Sequence, residues 1–304
     1  MNSMSLNTKK VIFILGPTAT GKTKLSINLA KIFSCEIISC DSRQFYKELK
    51  IGSAPPNKSE LAKVKHHFIQ NLSINEDYSA GQFEVDAVKL IEEIHKKNDL
   101  VFIVGGSGLY IDAICKGLDK TPKISKKIRK EINDQYRNKG LNWIQKKVKQ
   151  IDPKFYHSSD IKNPQRLLRA LEIFTQTGEN LSSFQSKKIK KRPFRIIKIG
   201  LSIDREILYN RINKRVDSMI EKGLLKEGKS LINFQHQNAL QTVGYKEIFR
   251  FLNNKCSYED AIDSIKKNTR RFAKRQLTWF RKDKEIKWFK PNQLNEIKKI
   301  ISES

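Results

Sequence analysis

The sequence lacks any apolar run near the roughly 18–20 residues that a membrane-spanning helix needs. The first run, residues 11–15, stops at Gly16-Pro17. Residues 1–10 are polar and basic, and the run behind them is too short for a signal-peptide core, so no leader is expected. Cysteine is scarce: Cys35, Cys40, Cys115 and Cys256 form no CxxC pair and no paired framework. That excludes a disulfide scaffold and points to reduced thiols in a cytoplasm. There is no internal repeat and no low-complexity tract. With 38% hydrophobic and 30% charged residues, the chain is not collagen, a disordered tail or a membrane channel. Negative charge is the other shortage, since 32 Asp+Glu stand against 60 Lys+Arg, a net charge of +28.

At 304 residues the chain can form one large domain or two modest ones with a proper core. Its basicity invites a polyanionic partner, although 45 of the bases are Lys and only 15 Arg, a total that a general drift toward Lys would also produce. Distribution favours the partner. Residues 120–150 hold eleven bases and two acids, 186–198 seven bases and no acid, and 266–290 eleven bases and two acids.

The first hundred residues alternate in an α/β manner. Apolar strands are expected at 10–15, 36–39 and 100–104, with helices over 22–33 and 109–117. Continuous apolar strands of this length indicate a parallel sheet covered on both faces. Residues 121–186 are polar and helical in period, broken at Gly140, Asp152-Pro153, Asn163-Pro164 and Gly178, and read as an insertion. A return strand is expected at 195–201. Helices follow over 205–221, 224–234, 245–252 and 258–281, then a short strand at 285–289.

Between the first strand and helix stands Gly16-Pro17-Thr18-Ala19-Thr20-Gly21-Lys22-Thr23, a G-x-x-x-x-G-K-T loop. Its glycines let successive N–H groups turn toward phosphate oxygens, Lys22 would meet terminal phosphate oxygens, and the Thr23 hydroxyl would ligate Mg²⁺. The strand at 100–104 ends in Gly105-Gly106 rather than the acid of an ordinary ATPase. The available acid is Asp41, at the end of the second strand. Ligands of open parallel sheets sit at the carboxyl ends of strands, so Asp41 and residues 105–108 should converge on the phosphate loop. Such an acid can orient metal-bound water or accept a proton from a nucleophile.

In order along the chain stand GPTATGKT (16–23), DSRQFYKELKIGSAPP (41–56), HHF (66–68), YSAGQF (78–83), GGSGLYIDAICKGL (105–118), DP (152–153) and NPQRLLRALEIFTQTG (163–178). DREILYNRINKRVDSMIEKGLLKEG (204–228), VGYKEI (243–248) and TRRFAKRQLTWFR (269–281) complete the set. With these segments the chain resembles the bacterial tRNA dimethylallyltransferase (tRNA isopentenyltransferase) family almost from end to end.

The resemblance implies an α/β fold: a P-loop NTPase-like parallel sheet flanked by helices, formed by residues 1–119 and 194–304, with an all-helical insertion domain, 120–193, gripping tRNA. It implies transfer of a dimethylallyl group from dimethylallyl diphosphate to N6 of adenosine-37 in tRNAs reading codons that begin with U. The products are N6-(dimethylallyl)adenosine and diphosphate. Gly16, Pro17, Thr18, Ala19, Thr20, Gly21, Lys22 and Thr23 would hold the diphosphate through Mg²⁺, with Thr23 the metal ligand. Asp41 would be the general base, assisted by Lys22, Thr23 and Arg211, with Arg215 a further diphosphate contact. Contacts to the tRNA anticodon stem-loop would fall at Asp41, Ser42, Arg43, Gln44 and Ser107, and in the insertion at Arg129, Gln165, Arg166, Leu167, Leu168 and Arg169. Further contacts would be Gln241, Thr242, Val243, Gly244, Tyr245 and Lys246, then Lys274, Arg275, Gln276, Thr278, Trp279 and Arg281. A cytoplasmic monomer without membrane contact is implied.

Other features read more plainly. His66-His67 on a strand would point to opposite faces and have no third ligand at zinc spacing, so packing or polar positioning is expected. Trp279, Phe272 and Phe280 are candidates either for base stacking or for core. A P-loop kinase would need ATP turnover, and a non-catalytic RNA-binding protein would not need intact Lys22, Thr23 and Asp41.

Overall fold

A computed structural model describes residues 9–186 and 188–303. The leader expectation falls on residues 1–8, outside the described residues, as do Lys187 of the basic 186–198 stretch and Ser304. The chain begins with β1 (Lys10–Leu15), α1 (Lys22–Ile32), β2 (Ile37–Cys40), α2 (Lys58–Leu61), β3 (His66–His67), α3 (Ala80–Ile94), β4 (Leu100–Gly105) and α4 (Gly108–Lys116). It continues with α5 (Lys126–Ile151), α6 (Pro153–Ser158), α7 (Pro164–Thr177) and α8 (Leu181–Phe184). β5 (Arg195–Leu201), α9 (Arg205–Glu221), α10 (Leu224–Leu231), α11 (Tyr245–Leu252), α12 (Tyr258–Phe280), β6 (Lys287–Phe289) and α13 (Leu294–Glu303) close it. Two compact units result, one up to Cys115 and from Lys191 onward, the other Lys116–Lys190.

The larger unit is built on one six-stranded sheet in the order β3-β2-β4-β1-β5-β6, with every pairing parallel. Side chains alternate along a strand, so an unbroken apolar run serves both faces at once. Val11, Phe13, Leu15, Ile38, Val101 and Ile103 enter the core on one side. Ile12, Ile14, Ile37, Phe102, Ile197 and Ile199 enter that on the other. Each fully buried aliphatic or aromatic side chain of this kind contributes about 1.5–3 kcal/mol. Helices cover both faces because the crossover between parallel strands has to pass over the sheet.

Several elements differ from expectation, among them the four-residue α2 and the helix expected over 224–234, which ends at Leu231 and runs on as one 3-10 turn. β3 is only two residues long and owes its strand character to pairing with Ile37 and Ile38. β6 is shorter than the 285–289 run and pairs only with the last three residues of β5. α3 and α13 were not expected. For α3 the signal was present: Ser79 accepts from Gln82 N as N-cap, and Phe83, Ala87, Ile91 and Ile94 recur at helical spacing on its buried side.

The smaller unit is entirely helical among the described residues. Its core is formed by Ile132, Ile144, Val148, Leu167, Leu168, Leu171 and neighbours. Its breaks coincide with the expected punctuation. Gly140 interrupts α5 at φ 74°, Asp152 caps α6, Asn163 caps α7 with Pro164 behind it, and Gly178 ends α7 in the left-handed conformation. The Asp152 carboxylate also accepts from Ser182 N at 2.9 Å and Ser182 Oγ at 2.7 Å, tying α6 to α8.

Candidate active site

The phosphate loop leaves β1 at Gly16, whose φ is 144°. A Cβ there would stand 2.7 Å from the Leu201 carbonyl oxygen, so glycine lets the loop pass close over β5. Ala19 carries φ 64°, a left-handed conformation that costs a non-glycine residue about 1–3 kcal/mol and is retained where surrounding structure enforces it. Thr20 Oγ1 donates to the Pro17 carbonyl at 2.8 Å, and Lys22 Nζ donates to the same oxygen at 2.7 Å. Lys22 is thus folded back over the loop. α1 begins at Gly21 with no side-chain cap and no acid in its first turn, so its N-terminal potential faces the loop uncompensated. Thr23 is half-buried, and its hydroxyl makes no hydrogen bond among the described residues.

Strand register places the acid. Leu15 pairs with Gly105, and Gly105 pairs with Cys40, so the three strand ends lie level. The next residues, Gly16, Gly106 and Asp41, therefore form one row across the top of the sheet. With strands about 4.8 Å apart, Asp41 stands about 10 Å from Gly16. Residues 105–108 join this row. Ser107 N donates to Cys40 O at 3.5 Å, while Ser107 Oγ accepts from Ser42 N at 3.0 Å and donates to Ser42 Oγ at 3.3 Å. Asp41 Oδ1 accepts from Arg43 N at 3.0 Å, which holds the carboxylate at the start of its turn.

Three charges interact here. Burial pushes the Lys22 ammonium down to about 7 from its ordinary value; the Asp41 carboxylate opposes that shift, and the Arg215 guanidinium adds to it. Arg215 is itself lowered by burial and supported by Asp41. Two buried cations beside one carboxylate, with burial as the main force lowering both, make a site that an anion would relieve. Arg211, one turn earlier on α9, is exposed and makes no side-chain hydrogen bond or ion pair among the described residues.

The remaining expected contacts divide by exposure. In the larger unit Arg43 donates to Asn238 O at 2.9 Å, joining the 41–44 run to the segment before α11. Gln44 donates to Ala54 O at 3.2 Å and accepts from Ser39 Oγ at 3.1 Å. Gln241 and Lys246 are exposed, and Thr242 and Val243 are half-buried. On α12 Lys274, Arg275, Thr278 and Trp279 are exposed, as is Arg281 at its end, while Ala273, Gln276 and Phe280 turn inward. In the smaller unit Gln165, Arg166 and Arg129 are exposed. Arg129 and Arg169 pair with the buried Glu172 at 3.6 and 3.7 Å, and Arg169 also donates to Thr121 Oγ1 at 2.7 Å.

Four of the expected tRNA contacts are buried. Leu167 and Leu168 lie in the helical core and Tyr245 has no exposed surface, because a motif written as a continuous run includes the inward-facing residues of its own helix; Gly244 is buried as the N-cap of α11. Gln276 needs a different account. It is buried, its Oε1 accepts from Thr18 N at 3.0 Å, and its Nε2 donates to Gly106 O at 2.9 Å. It buttresses the phosphate loop rather than offering surface. Of the aromatics left open, Phe280 is core, while Phe272 and Trp279 keep 39% and 37% exposure.

His66 Nδ1 lies 2.7 Å from Val64 O and His67 Nε2 lies 2.5 Å from Glu36 Oε2, so both histidines have local polar partners. Among the described residues no cluster of three His, Cys, Asp or Glu side chains could hold a metal. No disulfide links the four cysteines; Cys35, Cys40 and Cys115 are buried and Cys256 is half-buried. Beyond β5, on the side of the loop away from Asp41, lies a cavity of about 650 Å³ lined in part by residues of the 204–228 and 269–281 segments. Arg205, Tyr209, Lys274, Arg281, Phe289 and Lys290 are among its walls.

Residues 44–283 match the family model described as IPP transferase. The chain is 55% identical to a tRNA dimethylallyltransferase of Christiangramia forsetii over 279 residues, covering 92% of each chain. It is 50% identical to that of Flavobacterium johnsoniae, covering 92% of this chain and 93% of the other. Among solved structures it is similar to the tRNA isopentenylpyrophosphate transferase of Bacillus halodurans, with TM-score 0.72, 37% identity, and coverage of 97% and 96%. It is also similar to a eukaryotic dimethylallyltransferase acting on tRNA, with TM-score 0.75, 29% identity, and coverage of 97% and 77%.

Proposed function

The chain belongs to the IPP transferase family and is a tRNA dimethylallyltransferase; from that premise we propose how its own residues divide the work. The acceptor is N6 of adenosine-37 in the anticodon stem-loop of tRNAs reading codons that begin with U. The C1–O bond of dimethylallyl diphosphate breaks with its electron pair leaving on the diphosphate, the C1–N6 bond forms, and the N6 proton passes to the Asp41 carboxylate. The observation that carries this reading is the level row of Gly16, Gly106 and Asp41, with Lys22 and Arg215 coupled to the acid.

Charge on the departing diphosphate is the largest demand. Loop N–H groups, the start of α1, Lys22 and Arg215 meet it, with the exposed Arg211 one turn earlier on α9 as a further cation. An exocyclic amine is a poor nucleophile, so placement and a nearby base matter more for it than general acidity. Asp41, about two strand spacings from Gly16, has room for the diphosphate and the carbon to be transferred between base and loop. The adenine has to leave its stack to reach that gap, which calls for contacts along the 41–44 run.

Thr23 fits a magnesium ion. Its hydroxyl is unengaged, and with no clustered protein ligands among the described residues most coordination would come from diphosphate and water, as that ion prefers. When bound, the ion would neutralise diphosphate charge. The exposed basic and aromatic side of α12 and the exposed bases of the helical unit supply phosphate and base contacts to tRNA, in a cytoplasmic monomer.

The test is incubation with Mg²⁺, labelled dimethylallyl diphosphate and tRNA carrying unmodified adenosine-37. Label in that nucleotide and release of diphosphate are expected. Label at another nucleotide would refute the acceptor assignment, and no label in the tRNA would refute the reading as a whole.

A further inference from the structure

Glu227, on α10, has no role so far, yet its carboxylate organises a stretch of main chain that reaches the active site. Its Oε2 accepts from Lys50 N at 3.0 Å and Ile51 N at 2.9 Å, and its Oε1 accepts from Gly52 N at 3.0 Å. The Tyr245 hydroxyl donates to Oε1 at 2.5 Å. Three successive N–H groups on one carboxylate make charge-assisted bonds that fix the backbone at three consecutive residues. Tyr245 is fully buried, and its ring stands 2.6 Å from where a Cβ of residue 52 would be, so only glycine lets the strap lie against it. The strap then closes on itself: Ser53 Oγ donates to Leu49 O at 2.6 Å and Ala54 N to Ile51 O at 2.9 Å, with Ala54 held at φ 44°.

This turn presents one carbonyl, that of Ala54, to two residues of the site. Gln44 Nε2 donates to it at 3.2 Å and Arg215 Nη2 at 3.5 Å. Gln44 belongs to the run that begins with Asp41, and Arg215 is the cation coupled to both Asp41 and Lys22. A guanidinium tethered at one nitrogen keeps its remaining donors aimed in a set direction, which spares it the ordering cost on binding an anion.

We infer that Glu227 is a positioning residue for the transfer: by fixing residues 50–52 it sets the Ala54 carbonyl that aims Arg215 at the diphosphate. The inference rests on the reading of Arg215 as a diphosphate contact. A purely structural Glu227 would affect stability but would not depend on Arg215.

The experiment is a double-mutant cycle read as the affinity of Mg²⁺ with inorganic diphosphate, by calorimetry, on the full chain. Glu227→Gln is near-isosteric but turns an amide N–H toward the three main-chain N–H groups. It should weaken binding on the order of tenfold. Arg215→Ala should weaken it at least as much, and the double variant no further than Arg215→Ala alone. Steady-state kinetics should show the Glu227→Gln loss in KM for dimethylallyl diphosphate and not in KM for tRNA. Tyr245→Phe, which removes one donor and leaves the main-chain bonds, should give a smaller loss that also vanishes in the Arg215→Ala background. It carries the cycle if Glu227→Gln fails to fold. Losses that multiply in the double variant, or no loss in Glu227→Gln, would overturn the inference. Unchanged affinity in Arg215→Ala would overturn the diphosphate role of Arg215 and the inference with it.

Discussion

Gln276 and Thr18 are 258 positions apart in sequence, and the side-chain oxygen of one accepts from the main-chain N–H of the other at 3.0 Å. The same amide donates to Gly106 O at 2.9 Å. One buried side chain of α12 therefore joins the phosphate loop to the glycine turn after β4. The helix whose outer side carries Lys274, Arg275 and Trp279 is anchored by its inner side to the phosphate loop and the glycine turn.

Gln276→Leu should leave Thr18 N and Gly106 O without that partner. The expected cost is about 1–3 kcal/mol of stability, read by urea unfolding. Affinity for Mg²⁺ with diphosphate should fall about tenfold if the loop loses its shape by that much. tRNA affinity should change little, because the residue is not at the surface.

Asp41→Asn keeps an oxygen for the Arg43 N–H and removes the base. Single-turnover transfer should fall about 10²–10⁴-fold, while tRNA affinity in a filter-binding assay stays within about threefold. Undiminished transfer would remove Asp41 from the proton-accepting role.

Lys22 sets a pH dependence. With its ammonium lowered to about 7, the free enzyme carries that charge below pH 7 and loses it above. Bound diphosphate favours the charged form, so binding should take up as much as one proton per site between about pH 7 and the ordinary lysine value, and affinity should fall as pH rises through that window. Calorimetry in buffers of different ionisation enthalpy measures the uptake, and Lys22→Met should abolish it. In the unliganded protein the sign is opposite. The unfolded chain binds this proton up to the ordinary value of 10.5, so the Lys22 contribution to stability rises with pH over the same window.

The outer side of α12 should separate charge from stacking. Lys274→Ala and Arg281→Ala should each reduce the salt slope of tRNA binding by about 1. Trp279→Ala should cost about 1–3 kcal/mol with the slope unchanged. Its indole is exposed, with Nε1 donating to Asp112 Oδ2 at 3.1 Å, an arrangement that leaves a ring face for a base. Titrations at three salt concentrations distinguish the two outcomes.

Much of the architecture was legible because it depends on local chemistry. Residues 11–15 and 100–104 are continuous apolar runs each followed by glycine, the pattern of strands in a sheet buried on both faces. Gly140, Asp152, Asn163 and Gly178 break helices by their own backbone preferences. The phosphate loop and Asp41 follow from strand, turn and register. What stayed hidden depends on partners far away in sequence. β3 exists only because β2 is beside it, and the burial of Tyr245 and Gln276 is invisible in a motif that lists a helix turn without its inner side. Glu227 carries no spacing signal, since three of its partners are main-chain groups more than 170 positions earlier and the fourth is the Tyr245 hydroxyl on the next helix.

The distribution of thiols gives the native chain a spectroscopic handle. Burial raises the Cys40 thiol well above its ordinary value and Cys35 to about 12, and Cys115 is buried, so none of the three presents a reactive thiolate. Cys256, between α11 and α12, keeps solvent contact. A maleimide dye or nitroxide should therefore attach once per molecule, at the turn feeding the helix that holds Gln276. Fluorescence or electron paramagnetic resonance can then follow that helix during turnover without a single engineered cysteine.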